Sequence, residues 1–108
     1  VLRGVVCLLG QGMLPVTVWK VVHVAVLVHQ LAHVSGLVPG ELVHVVADAH
    51  IYYRHVPIIE KMLAQTPSPA PVFRMDPSVT DFYAFTRDSF SLEDYIPAPF
   101  EDQIPIAI

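Results

Sequence analysis

The chain reads as an α+β domain with helices packed against a sheet. Three observations predict this. Residues 17–35 form a long apolar run without Gly or Pro, the length of a helix rather than a strand. Its Val content favours a strand, but its length and the lack of Gly or Pro favour a helix, and shorter apolar runs near 2–9 and 42–52 lie on either side of it. The order of helix, strand, helix and strand, with mixed connections, fits helices on a sheet.

In order along the chain, Leu2–Leu9 reads as a short strand ended by Gly10 and Gly12. Residues 17–35 read as a buried helix, with polar residues at 20, 23, 29, 30 and 33, and Gly36 in the place of a helix C-cap. Val38-Pro39-Gly40-Glu41 reads as a turn. Leu42–Asp48 reads as a buried strand that runs on to Tyr52. Residues 56–65 read as a helix, with Pro57 near its start. Thr66-Pro67-Ser68-Pro69-Ala70-Pro71 is an extended proline segment. Val72–Met75 reads as a short strand, Ser78–Tyr83 as a candidate short helix, and Phe90–Tyr95 as a turn leading into a strand or extended segment. The rest, to Ile108, is punctuated by proline.

A chain of 108 residues is one domain at most, or part of one. Its 54% hydrophobic and 15% charged content is apolar for a small soluble domain. That implies a membrane segment, or apolar faces covered by other residues or a second subunit. The most membrane-like run, 16–38, carries Lys20, His23, His29, Gln30 and His33, which are costly in a bilayer. No membrane span is expected. The N-terminal residues lack the layout of a signal peptide. A net charge of −4 gives no electrostatic footprint for nucleic acid. The single cysteine excludes an internal disulfide and favours a reducing compartment.

The chemistry concentrates in His44–His55. Residues i and i+2 of a strand share a face. His50 and Tyr52 would then place an imidazole and a phenol side by side, as recognition of a sugar hydroxyl requires. His29 and His33 have the i, i+4 spacing of a zinc motif. Gln30 replaces the general base of that motif, and a structural site would need His44 or His50 as a third ligand. No metal is expected. Cys7, in an apolar run with no base or cation beside it, reads as a small buried hydrophobe rather than a nucleophile.

From about Ala25 to Ile108 the landmarks resemble the C-terminal part of the thymidylate synthase family. The matching pieces are Gly36-Leu37-Val38-Pro39-Gly40-Glu41-Leu42-Val43 and Asp48-Ala49-His50-Ile51-Tyr52. After them come Leu63–Pro71, Asp88-Ser89-Phe90-Ser91-Leu92-Glu93-Asp94-Tyr95, and the ending Pro105-Ile106-Ala107-Ile108. Residues 1–24 fit poorly. Arg3 and Gly10 fall at the family's spacing, but Gly4 and Val6 replace its Ser and Asp. Thr17 stands where the family has an Asn that reads the pyrimidine.

The resemblance implies an incomplete thymidylate synthase-like α+β sheet, with all 108 residues as the C-terminal part of a single domain. It implies reductive methylation of dUMP to dTMP, with 5,10-methylenetetrahydrofolate as co-substrate, by a cytoplasmic homodimer. His50 and Tyr52 would hold the ribose, Arg3 the phosphate and Thr17 the base. Ala107 and Ile108 would close over the folate, and Gly10 would line the floor of the site. The family nucleophile lies in an upstream Pro-Cys-His that this sequence lacks, so the chain alone is expected to show no turnover. Two other readings stay open. Thr17 keeps alive a pyrimidine hydroxymethylase acting on dCMP, and the departures in residues 1–24 fit a non-catalytic truncated remnant.

Overall fold

The fold was obtained as a computed structural model. It describes residues 1–12 and 16–105, apart from the side chains of Gln11, Val16 and Thr17. The elements in order are β1 (Leu2–Leu8), β2 (Gln11–Gly12), α1 (Val16–Val34), β3 (Pro39–Val46), β4 (Ala49–His50), α2 (Val56–Leu63), β5 (Val72–Met75) and β6 (Phe90–Glu93). The class is α+β.

β1 and β3 pair in parallel, with Val5 opposite Val43 and Cys7 opposite Val45. Parallel neighbours need a long crossover, and α1 supplies it. β2 and β4 pair in parallel just beyond them, setting Gly12 opposite His50. β5 and β6 form a separate antiparallel pair, with Met75 opposite Phe90.

One face of the β1–β3 sheet meets α1. Leu2, Val6, Leu8, Leu42, His44 and Val46 are half-buried on that face. Gly4 marks the closest approach, since a Cβ there would lie 2.9 Å from Val28 Cγ2. Along β1 and β3 the exposed residues alternate with these, as a one-sided sheet requires.

The α1 C-terminus follows from Gly36, whose φ is +65°. Its N–H donates to His33 O at 3.1 Å, and the Leu37 N–H donates to Ala32 O at 2.8 Å. This pair of bonds is the Schellman arrangement, which satisfies two carbonyls at the helix end. His29 and His33 then fasten the rest of the chain to α1. The His29 ring packs edge-on against Phe73, centroids 5.3 Å apart. His33 Nε2 donates to Val79 O at 2.8 Å.

Several expectations are corrected. α1 is not a buried helix: Val28 and Ala32 are buried, whereas Trp19 is 66% exposed. The helix is apolar on every side, but the described residues cover only one side. The β3 strand is likewise half exposed, because no described element covers its outer face. Pro39 and Gly40 already belong to β3 rather than to a turn. Gly40 is needed for closeness, since a Cβ there would meet Val1 Cγ1 at 2.5 Å. The strand does not reach Tyr52. It ends at Val46, bends through Ala47 and Asp48, and resumes only as β4. The short helix expected at 78–83 is a 3-10 turn at Phe82–Ala84, where Asp81 accepts from the Tyr83 N–H at 2.9 Å. Asp76 makes the preceding turn instead, accepting from the Ser78 N–H and hydroxyl. Cys7 is exposed on the outer sheet face rather than buried.

Candidate functional site

The bend after β3 builds the site. Asp48 turns the chain, β4 sets His50 beside Gly12, and a 3-10 turn at Tyr53–His55 leads into α2. His50 and Tyr52 meet although they do not share a strand. Their ring centroids are 5.1 Å apart at 87°, edge to face. Such contacts restrain both rings beyond simple area burial. Tyr52 in turn packs edge-on against His55, 5.7 Å away at 83°.

His50 is oriented from behind. Its Nδ1 lies 3.3 Å from the Asp48 carbonyl and 3.6 Å from the Asp48 carboxylate. Both groups are acceptors, so they favour the tautomer with the proton on Nδ1. Nε2 is then left as an acceptor. Gly10 sits against this support, since a Cβ there would lie 3.6 Å from Asp48 Oδ2. His55 is the most buried polar side chain of the site, 2% exposed. Its Nε2 donates to the carbonyl of Pro105 at 2.8 Å.

The sequence-named residues divide into three groups. The structure brings His50, Tyr52 and Gly10 together. It places Arg3 at the far end of β1, beside Gly40, roughly 20 Å from Gly10 at ordinary strand rise. Thr17 lies in the first turn of α1, its side chain outside the described residues, as do Ala107 and Ile108 entirely. Reading the sequence alone missed Asp48 and His55 as working parts. Both sit within Asp48-Ala49-His50-Ile51-Tyr52-Tyr53-Arg54-His55: Asp48 supports His50 two residues on, a local contact made at the bend, whereas the partner of His55 is the Pro105 carbonyl, fifty residues away, which spacing does not reveal.

Other candidates resolve differently. His29 and His33 point to separate partners, Phe73 and Val79. Among the described residues no cluster of three or more metal-ligating side chains occurs. Cys7 faces outward opposite Val45. No described helix is long and apolar enough to cross a membrane.

The sequence model of the family described as thymidylate synthase matches residues 12–108. The chain belongs to the thymidylate synthase family. Thymidylate synthase of human herpesvirus 8 type P (isolate GK18) is 41% identical over 81 residues, covering 75% of this chain and 24% of that protein. Thymidylate synthase of varicella-zoster virus (strain Dumas) is 41% identical over 75 residues, covering 69% of this chain and 25% of that one. The solved thermostable thymidylate synthase A from Bacillus subtilis superposes with a TM-score of 0.81 at 29% identity. The superposition covers 89% of this chain and 36% of that one. The chain thus spans about a quarter of the length of the curated thymidylate synthases it matches, and its fold is thymidylate synthase-like.

Proposed function

We propose that these residues form the ribose-reading and folate-closing part of a thymidylate synthase, which methylates dUMP to dTMP. The observation that carries this is the His50–Tyr52 pair, held edge to face with Nδ1 of His50 engaged by Asp48. His50 Nε2 then accepts from a ribose hydroxyl, and the Tyr52 hydroxyl donates to or accepts from the same group. Ala107 and Ile108 close over the folate and exclude water. Methylenetetrahydrofolate supplies the one-carbon unit and the hydride. Thr17 for the base and Gly10 for the floor complete the proposed set, in a cytoplasmic setting; Arg3, for the phosphate, stands at the opposite end of β1, and the His50–Tyr52 geometry does not support it. All 108 residues belong to the C-terminal part of a single domain on this reading.

Cys7 has no part in it. It lies mid-strand among apolar neighbours on an outer face, so a polypeptide of these 108 residues binds nucleotide without turning it over. The proposed assembly is a homodimer through that outer face, where Val5 is 68% and Leu9 93% exposed.

Thr17, in place of an amide, favours a second reading, a pyrimidine hydroxymethylase acting on dCMP. Thermal unfolding of the native-length protein with each nucleotide separates the two. A ligand that binds only the folded state raises the midpoint. Protection by dUMP and not dCMP is the expected result. Protection by dCMP alone favours the hydroxymethylase, and protection by neither leaves the non-catalytic remnant.

A further inference from the structure

The segment after β6 carries little burial, and residues 94–101 are exposed throughout. Three polar contacts hold its last part. Gln65 Nε2 donates to Pro99 O at 3.1 Å. Lys61 Nζ pairs with Asp102 Oδ2 at 2.8 Å. His55 Nε2 donates to Pro105 O at 2.8 Å. As the segment advances from 99 to 105, its partners retreat from 65 to 55. The segment therefore runs antiparallel along the whole of α2.

The lengths leave little slack. Gln65 and His55 are roughly 15 Å apart at helical rise. Six extended residues reach roughly 20 Å. Pro99 and Pro105 also narrow the conformations open to the free segment, which lowers the entropy cost of seating it.

Of the three anchors, two are exposed. The Lys61–Asp102 pair has side chains 64% and 37% exposed, and such pairs contribute little. His55 is buried, and it faces two ways. One side of its ring donates to Pro105, while the ring itself packs on Tyr52, which packs on His50.

We propose that residues 99–105 are a strap clamped along α2, and that His55 is the positioning residue that ties this strap to the His50–Tyr52 pair. The imidazole fixes the position of Pro105, the end of the strap. Anything that steadies Tyr52 steadies the strap through the same ring. The strap follows from the contacts alone; its link to nucleotide rests on the function proposed above.

The test uses a nitroxide on Gln103→Cys in the native-length protein with every other cysteine, Cys7 included, replaced by Ser, read by electron paramagnetic resonance. Without nucleotide, His55→Leu raises the mobile fraction of the label roughly fivefold, the scale of one lost hydrogen bond. His55→Gln, whose amide reaches the position of Nε2, restores the immobile spectrum, whereas His55→Asn does not. A purely space-filling role would treat Leu, Gln and Asn alike. If His55→Leu fails to fold, Gln65→Ala combined with Lys61→Ala tests the strap from its exposed anchors, and mobility rises there too. An unchanged spectrum in the folded variants overturns the proposal. Adding dUMP then lowers the mobile fraction in the parent and not in His55→Leu. A strap freed by His55→Leu but indifferent to dUMP overturns the tie to His50–Tyr52. If dUMP binds no variant, parent included, the functional reading falls and the link with it, while the strap stands.

Discussion

At the scale of single residues, the site depends on what holds each polar tip. His50 is aimed by Asp48 and Tyr52 is braced between two imidazoles. On the thymidylate synthase reading, His50→Ala and Tyr52→Phe each weaken dUMP binding roughly tenfold, the scale of a hydrogen bond to a neutral hydroxyl. Isothermal titration measures it, and unchanged affinity in both variants rejects the ribose assignment. Asp76 offers a second residue-scale prediction. The Ser78 hydroxyl and then its backbone N–H hold this carboxyl below the ordinary carboxylate range, with a smaller contribution from the His33 charge. A depressed acid contributes stability above its unfolded value, about 3.9. That contribution is lost as pH falls through its lower folded value. The Ser78 amide resonance should therefore titrate below the usual aspartate midpoint. Ser78→Ala should move that midpoint up.

At the scale of elements, the end of α1 is where local sequence decides most. Gly36 adopts φ +65° and permits the two bonds that close the helix. A Cβ there meets nothing within 4 Å, so only the backbone conformation is strained. Gly36→Ala should cost about 1 kcal/mol, read from the denaturant midpoint at unchanged slope. Gly36→Asn should cost less, because Asn tolerates the left-handed region. This cap was legible in the sequence, because a glycine after an apolar helical run has one common use. The extent of α1, the short strand at Val72–Met75 and the helix opened by Pro57 were legible from apolar runs and proline punctuation. The β4 bend was not. Its pairing with Gln11–Gly12 joins residues far apart in sequence, and a valine-rich run gives no sign of where a strand will break.

At the scale of the molecule, the surface is too large for the mass. The accessible area is 8306 Å², against about 6,000 Å² for a compact monomer of this size. The radius of gyration is 16.4 Å, against about 13 Å. Only Val28, Ala32 and Ile58 are buried apolar residues among those described. The chain therefore leaves apolar faces to be covered, on α1 and on the outer side of β1 and β3. If the sheet face pairs with a second copy, Cys7 becomes a reporter. Its alkylation by maleimide should slow as protein concentration rises, and Val45→Lys should abolish that dependence. A labelling rate independent of concentration in the parent would sink the sheet-face dimer.

Local sequence is enough for the α+β class, the family resemblance and the nearness of His50 to Tyr52, although the shared strand face that predicted this nearness is not what brings the rings together. These rest on short-range rules: apolar period, proline and glycine punctuation, and a motif of a few adjacent residues. Folding in three dimensions was needed to show that β1 and β3 run parallel across α1, that Arg3 stands far from His50, and that Cys7 faces outward. It alone joined His55 to Pro105. Each of these depends on contacts between segments distant in sequence, and one-dimensional spacing carries no information about which distant backbone a side chain will meet.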